Sequence, residues 1–175
     1  MARTITMSEQ ELIEACLQHN RLAQKQLYDR YKDAMFTLAY RITGDFNLAG
    51  EALQDGFLNV FKGLPKFRRA STLGAWIKTI VIRAALSKIR NKIIFQELGQ
   101  QSISSFIDWG HYLDSEYLEK AIMALPEGYR MVFTLIEIEG YTHKEVAEIL
   151  NITIGTSKSQ LFNAKKKLRT MIERY

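Results

Sequence analysis

Within residues 141–173 the stretch YTHKEVAEILNITIGTSKSQLFNAKKKLRTMI decides the fold of the C-terminal half. Thr142 followed three residues later by Glu145 is a capping box, so a helix is expected over about 143–150, with Val146, Ala147 and Leu150 on one face. The small side chain of Ala147 permits a close crossing. Asn151-Ile152-Thr153 makes a short turn into a second helix, about 154–173, whose inward residues are Leu161, Ala164, Leu168 and Ile172. Two short helices joined in this way form a helix-turn-helix. The opposite face of the second helix carries Thr156, Lys158, Ser159, Gln160, Asn163, Lys166 and Lys167. Short hydroxyls and amides at a helix start reach base edges, and lysines further along neutralise phosphate, so this face suits DNA. An ordinary helical hairpin with a solvated basic face is the plainer alternative.

Working outward, helix signals dominate the rest of the 175 residues, and Pro65 and Pro126 are the only prolines. Ser8 with Glu11 opens a helix near 9–19. A second is expected over about 22–42, with Leu27, Tyr28, Tyr31, Met35, Leu38, Ala39 and Ile42 inward and Gly44 as terminator. Asn47 can cap a third, about 48–62, with Ala49, Leu53, Phe57, Val60 and Phe61 inward. Ser71 or Thr72 caps a fourth, about 73–92, with Trp76, Ile77, Ile80, Val81, Ala84 and Ile89 inward. Residues 96–113, QELGQQSISSFIDWGHYL, lose the helical period and read as a linker. Helices near 114–124, 127–139, 143–150 and 154–173 complete an all-α chain of two small domains, 1–95 and 114–175.

The charges segregate along this framework. Lys+Arg 24 against Asp+Glu 19 gives a net charge of only +5. Yet residues 56–96 hold nine basic side chains and no acid, and residues 151–175 hold six bases and the single acid Glu173. Residues 114–150 reverse the sign, with eight acids to three bases. An acid-free run of 41 residues in a foldable segment suits a polyanion such as nucleic acid. The lone Cys16 excludes an internal disulfide and fits a reducing compartment. Three scattered histidines make a Cys/His zinc site improbable, and neither a metal nor a cofactor is expected. The N-terminal residues lack a signal-peptide apolar stretch and no run of 18 apolar residues occurs, so a cytoplasmic protein without membrane insertion is expected. No nucleophile–base–orienter set or paired-carboxylate motif stands at readable spacing, which argues against an enzyme.

Residues 125–169, LPEGYRMVFTLIEIEGYTHKEVAEILNITIGTSKSQLFNAKKKLR, resemble the C-terminal domain of bacterial RNA polymerase sigma factors of the extracytoplasmic-function type in the sigma-70 family. The resemblance implies that the last helix reads the promoter's minus-thirty-five element, through Thr153, Thr156, Ser157, Lys158, Ser159, Gln160 and the basic run beyond. Asn163 departs from the pattern, which often has Arg before the Ala-Lys pair.

Residues 27–90, LYDRYKDAMFTLAYRITGDFNLAGEALQDGFLNVFKGLPKFRRASTLGAWIKTIVIRAALSKIR, resemble the conserved N-terminal helical domain of the same family. In such proteins the helix matching 47–62 docks on the polymerase clamp. Here Glu51, Gln54 and Asp55 would make the contact, with Phe57 and Leu58 behind or beside them. Leu48 and Gly50 stand where acidic residues are common. The loop matching 64–72 and the helix after it would capture the unpaired minus-ten strand, for which Phe67, Arg68, Arg69, Lys78, Arg83, Lys88 and Arg90 are the candidates. Such a role suits the residue types, since splayed bases need aromatic or apolar pockets and the backbone needs cations. Trp76 has two readings, a stacking platform or a core residue, and its spacing with Ile77 and Ile80 favours the core. Arg83, Ser87 and Asn91 depart from the usual Asn, acid and base.

The resemblance implies core RNA polymerase and promoter DNA as partners, and family members are often held by an anti-sigma factor. A stand-alone helix-turn-helix regulator is the alternative. It would use residues 114–175 alone and leave Glu51, Gln54, Asp55 and the acid-free block without a role.

Overall fold

A computed structural model describes residues 7–96 and 115–172. Every regular element among them is helical: α1 Glu9–Leu17, α2 Arg21–Thr43, α3 Phe46–Gly63, a 3₁₀ turn Leu64–Lys66, α4 Leu73–Gln96, α5 Ser115–Met123, α6 Glu127–Phe133, α7 His143–Leu150 and α8 Ile154–Ile172. They fall into two compact units: one holds most of the first four helices, through Tyr40 and over Asp45–Lys88, and the other holds Arg41–Gly44 and the described residues from Ile89 onward. Apart from Gln96, where α4 ends, the expected linker lies outside the described residues. No described helix is long and apolar enough to cross a membrane, and no group of His, Cys, Asp or Glu among the described residues could hold a metal ion.

In the first unit the Ser8–Glu11 box starts α1, with Ser8 N donating to Glu11 Oε2 at 2.8 Å. His19 takes a positive φ of 57° beyond its end, and the Asn20 side chain then accepts from Leu22 N and Ala23 N to start α2. Gly44 (φ +68°) follows α2. The cap of α3 is Asp45, not Asn47: Asp45 sits in extended backbone and its carboxylate accepts from Asn47 N at 2.9 Å and Leu48 N at 3.1 Å, so Asn47 is already inside the first turn. For α4 the cap is Thr72, whose Oγ1 accepts from Ala75 N.

Leu12, Leu27, Leu38, Val60, Leu73, Ile77, Val81 and Ile82 are all but fully buried and form the centre of this unit. Gly56 is where α3 meets α4, since a Cβ there would lie 3.0 Å from a Val81 methyl and 3.4 Å from its Cα. Tyr28 meets Phe57 edge-on at 4.8 Å. The inward face of α4 is broader than expected, because Ile82 and Ala85 are buried while Ile80 and Trp76 are only half-buried. Cys16 is 4% exposed, and burial pushes its thiol pKa up, which keeps it inert.

In the second unit α5 packs on α8 through Ala121, Ile122, Leu125, Ala164 and Leu168, with Tyr129, Phe133 and Met171 alongside. Tyr117 Oη donates to the Met171 carbonyl at 2.8 Å. Buried Arg130 donates from Nη1 to the Leu125 carbonyl at 3.0 Å, placing a cation where α5 ends. The single helix expected over 127–139 instead widens after Phe133 into a π-helical turn, Thr134–Ile138, closed by Glu139 N on the Thr134 carbonyl at 3.0 Å. Gly140 (φ +78°) ends it.

The Thr142–Glu145 capping box opens α7, with Thr142 N and Oγ1 donating to Glu145 Oε2 at 2.8 and 2.7 Å. Those two bonds, the backbone one first, hold the Glu145 carboxyl below the ordinary glutamate range. A depressed carboxylate contributes stability that is complete above its unfolded value and lost as pH falls through the folded one. Amide exchange along α7 is therefore expected to be faster in Glu145→Ala than in wild type at neutral pH, and the two proteins are expected to converge in acid once Glu145 is protonated.

Candidate nucleic-acid and polymerase interfaces

The turn Asn151–Thr153 sets the geometry of α8. Asn151 adopts the left-handed conformation (φ 54°), which asparagine tolerates better than most residues, and this redirects the chain after one residue. Thr153 then caps α8, its Oγ1 accepting from Thr156 N at 3.0 Å and lying 2.9 Å from Thr156 Oγ1. The stripe Ser157, Leu161, Ala164 and Leu168 is buried, which fixes the rotation of the helix. Lys158, Ser159, Lys166 and Lys167 are consequently exposed on the outward side, with Thr156 and Asn163 half-buried. Ser159 Oγ donates to the Thr156 carbonyl at 3.0 Å.

Two of the expected minus-thirty-five residues are placed differently. Ser157 is completely buried, and its Oγ lies 2.9 Å from His143 Nδ1 on α7, so the hydroxyl joins the two helices and does not face outward. Gln160 is half-buried: a Cβ on Gly128 would fall 3.1 Å from its Oε1, so the amide lies over the start of α6. Ser157→Ala is expected to cost about 1 kcal/mol of domain stability through the lost buried hydrogen bond, while promoter choice stays unchanged. Thermal melting and selection from mixed promoters check the two halves of this prediction.

Phe162, 68% exposed, was not among the expected contacts, although it falls off the buried stripe and on the same outward side as Lys158 and Lys166. Lys165 is tied to Glu137 at 2.7 Å across to the π-helical turn.

In the first unit, Glu51, Gln54 and Asp55 are exposed along one side of α3. Leu58 is 57% exposed beside them, and Phe57 is buried behind. Phe67 follows the 3₁₀ turn and meets Trp76 with ring centroids 4.9 Å apart. Trp76 in turn fills the space over Gly63, where a Cβ would lie 3.1 Å from its ring. Trp76 is therefore an anchor for the loop and not an open platform. Arg68 and Arg69 are exposed on that loop, with Arg69 in the left-handed region (φ 56°). Such a conformation is uncommon for a side chain of this size.

On α4, Arg83 and Arg90 are exposed and Lys78 is half-buried. Asp55, Asn59, Ile80, Arg83, Ala84 and Ser87 line an open groove of about 340 Å³ between α3 and α4. Lys88 departs from the expectation of a phosphate contact: its ammonium bridges Asp55 at 2.7 Å and Glu51 at 3.1 Å, and its side chain is only 21% exposed.

Residues 27–92 match the sigma-70 region 2 model and residues 115–168 the sigma-70 region 4 model. The chain is 25% identical over 166 residues to the ECF RNA polymerase sigma factor SigM of Mycobacterium tuberculosis, covering 94% of this chain and 85% of that protein. It is also 25% identical over 162 residues to SigW of Bacillus subtilis, covering 83% and 87%. Among solved structures, the sigma factor RpoE of Bartonella quintana, in complex with the anti-sigma factor NepR, superposes with a TM-score of 0.60 at 23% identity, covering 85% of this chain and 96% of that one. CnrH, in complex with the cytosolic domain of CnrY, superposes at 0.53 with 20% identity, covering 93% and 96%.

Proposed function

This chain belongs to the sigma-70 family as an RNA polymerase sigma factor of the extracytoplasmic-function type that directs transcription initiation, and on that premise we propose how its residues divide the work. Residues 1–95 dock on core polymerase and hold melted minus-ten DNA, residues 96–113 connect, and residues 114–175 read the minus-thirty-five duplex. The observation that carries this division is the pairing of two unlike faces in one chain. An exposed acid and amide set stands on α3, and an outward basic face on α8 is held in fixed rotation by its buried stripe.

On α3, Glu51, Gln54 and Asp55 offer charge and hydrogen bonds around the apolar Leu58, a combination suited to a protein partner with basic groups around an apolar centre. On the loop before α4, Phe67 held against Trp76 gives a fixed aromatic edge beside Arg68 and Arg69, which suits unstacked bases and their phosphates. Arg83 and Arg90 extend the basic surface along α4, and Lys78 lies between them and the loop in sequence. On α8, Thr153, Thr156 and Ser159 stand at the helix start, where side chains in a major groove meet base edges, while the exposed ammonium groups of Lys158, Lys166 and Lys167 meet phosphates. Gln160 and Asn163, each half-buried, border that face.

The protein itself carries out no bond chemistry in this scheme. Positioning supplies specificity and lysines and arginines supply salt-sensitive affinity, while the polymerase makes RNA. Work alongside core polymerase places it in the cytoplasm. RpoE of Bartonella quintana is bound to an anti-sigma factor, and a protein of that class is expected to bind this chain as well. Footprinting of core polymerase with and without the protein tests the division of labour. Two protected duplex segments, with strand opening at the downstream one only, are expected. Protection of a single segment by the protein alone, unaltered by polymerase, would indicate a stand-alone regulator instead.

A further inference from the structure

The Lys88 ammonium on α4 meets the carboxylates of two α3 residues, Glu51 and Asp55. Glu51 and Asp55 stand four residues apart, on one face of that helix, where two like charges repel. The Lys88 ammonium crosses from α4 to lie 2.7 Å from Asp55 Oδ2 and 3.1 Å from Glu51 Oε2. Its own side chain is 21% exposed, whereas those of Glu51 and Asp55 are 57% and 51% exposed, so the cation sits behind and the carboxylates in front.

We propose that Lys88 is a positioning residue for polymerase docking and not a contact to promoter phosphate: it holds the Glu51 and Asp55 carboxylates as one preformed, outward-facing pair. This rests on the assignment of Glu51 and Asp55 to docking. Three observations support it. A single ammonium shared by both acids relieves their repulsion and fixes two flexible side chains at once, so less conformational freedom is lost when a partner engages them. Both hydrogen bonds, that to Asp55 foremost, raise the Lys88 pKa, so the cation stays charged across the physiological range. Asp55 also lines the groove that carries Arg83 on its α4 side, so it is held by Lys88 from behind and remains open to solvent in front. Lys88 is thus withdrawn from the set of cations that a phosphate backbone would meet, leaving Arg83 and Arg90 exposed on the same helix.

The test compares full-length wild type, Lys88→Met, Lys88→Arg, the double variant Glu51→Gln with Asp55→Asn, and the triple variant that adds Lys88→Met to it. Affinity for core polymerase is measured by competition with labelled wild type, and the salt dependence of promoter binding is measured on the assembled holoenzyme. Lys88→Met is expected to weaken core binding about fivefold. Lys88→Arg is expected to restore it, and the triple variant should be no weaker than the double. The slope of promoter affinity against salt should not move. A simple loss of packing would not be rescued by arginine or vanish in the double-variant background. Where Lys88→Met folds poorly, Lys88→Gln gives the same comparison. If Lys88→Met leaves core affinity intact and flattens the salt slope by about one, Lys88 is a phosphate contact and the proposal fails. If the double variant weakens core binding but Lys88→Met does not, the positioning role alone is overturned. If the double variant binds core as well as wild type, the docking assignment falls and the proposal with it.

Discussion

Asp55→Lys is expected to lower affinity for core RNA polymerase by about a hundredfold while helicity and melting change little. Asp55 is half exposed and contributes nothing to the apolar core, so its replacement removes surface charge and not packing. The bond to Lys88 is lost, but exposed ion pairs of this kind contribute only ~0–1 kcal/mol to stability. At the interface the effect is larger, because lysine both deletes an acceptor and sets a like charge against the partner's cations. Such a juxtaposition costs several kcal/mol, and about 2.7 kcal/mol is already a hundredfold. Core binding measured by competition, with circular dichroism in parallel, separates the two outcomes. Unchanged affinity would remove α3 from the docking surface, and a collapse of helicity would show that Asp55 has a structural role its exposure does not suggest.

Replacing Lys158, Lys166 and Lys167 together by alanine is expected to weaken holoenzyme binding to a promoter duplex by about a hundredfold at 0.15 M salt. All three are exposed on the outward side of α8, and none contributes to its buried stripe. Each phosphate neutralised gives a salt slope of about −0.9, which corresponds to roughly 0.7 of a decade in affinity at that ionic strength. Three such contacts make about two decades. The slope itself should become shallower by about 2.7. Relative preference among promoters should change less than affinity, because phosphate contacts position the helix and base contacts choose the sequence. A loss of preference without a change in slope would place the lysines on base edges instead. Alanine is a better helix former than lysine or equal to it, so unfolding of α8 is no ready explanation of such a loss.

Much of this architecture is legible in the sequence because its signals are local. The boxes Ser8–Glu11 and Thr142–Glu145 each need only four residues to declare a helix start, and both are made as their spacing predicts. Gly44 and Gly140 mark chain reversals through positive φ, which only glycine adopts freely. The stripes of α2, α3 and α8 follow a helical period that survives any error in boundary, except that Ile172, expected inward at the end of α8, is 40% exposed where the helix runs past its packing partners.

What escaped is tertiary or geometrically subtle. Asp45 and Asn47 are both competent caps two residues apart, and extended backbone at Asp45 decides between them. The π-helical turn after Phe133 inserts wider hydrogen bonding without changing residue types, so the helical period does not announce it. For Trp76 the spacing favours packing over an open platform, and what spacing does not show is the partner, Gly63, thirteen positions earlier on another element. Lys88 looked like one more member of a basic run because its carboxylate partners lie on α3, more than thirty residues away.

Ser157 is a different case. It lies four residues before Leu161 and seven before Ala164, in phase with the buried stripe, so its inward position was available from spacing. The resemblance to a DNA-reading helix drew it outward. The outward face read from residue type and spacing leaves Ser157 out, and its burial agrees with that phase. The same phase argument places Phe162 on the outward side, where an apolar ring next to lysines can meet a thymine methyl or a sugar.

One chain is expected to recruit core polymerase and to select promoters by two separate faces. Run-off transcription on a randomised promoter library, with core polymerase and the purified full-length protein, tests it most directly. Transcripts that appear only when the protein is added, from templates sharing two short elements at a fixed separation, are the predicted result. Absence of any selected transcript, or selection of a single element, would contradict it.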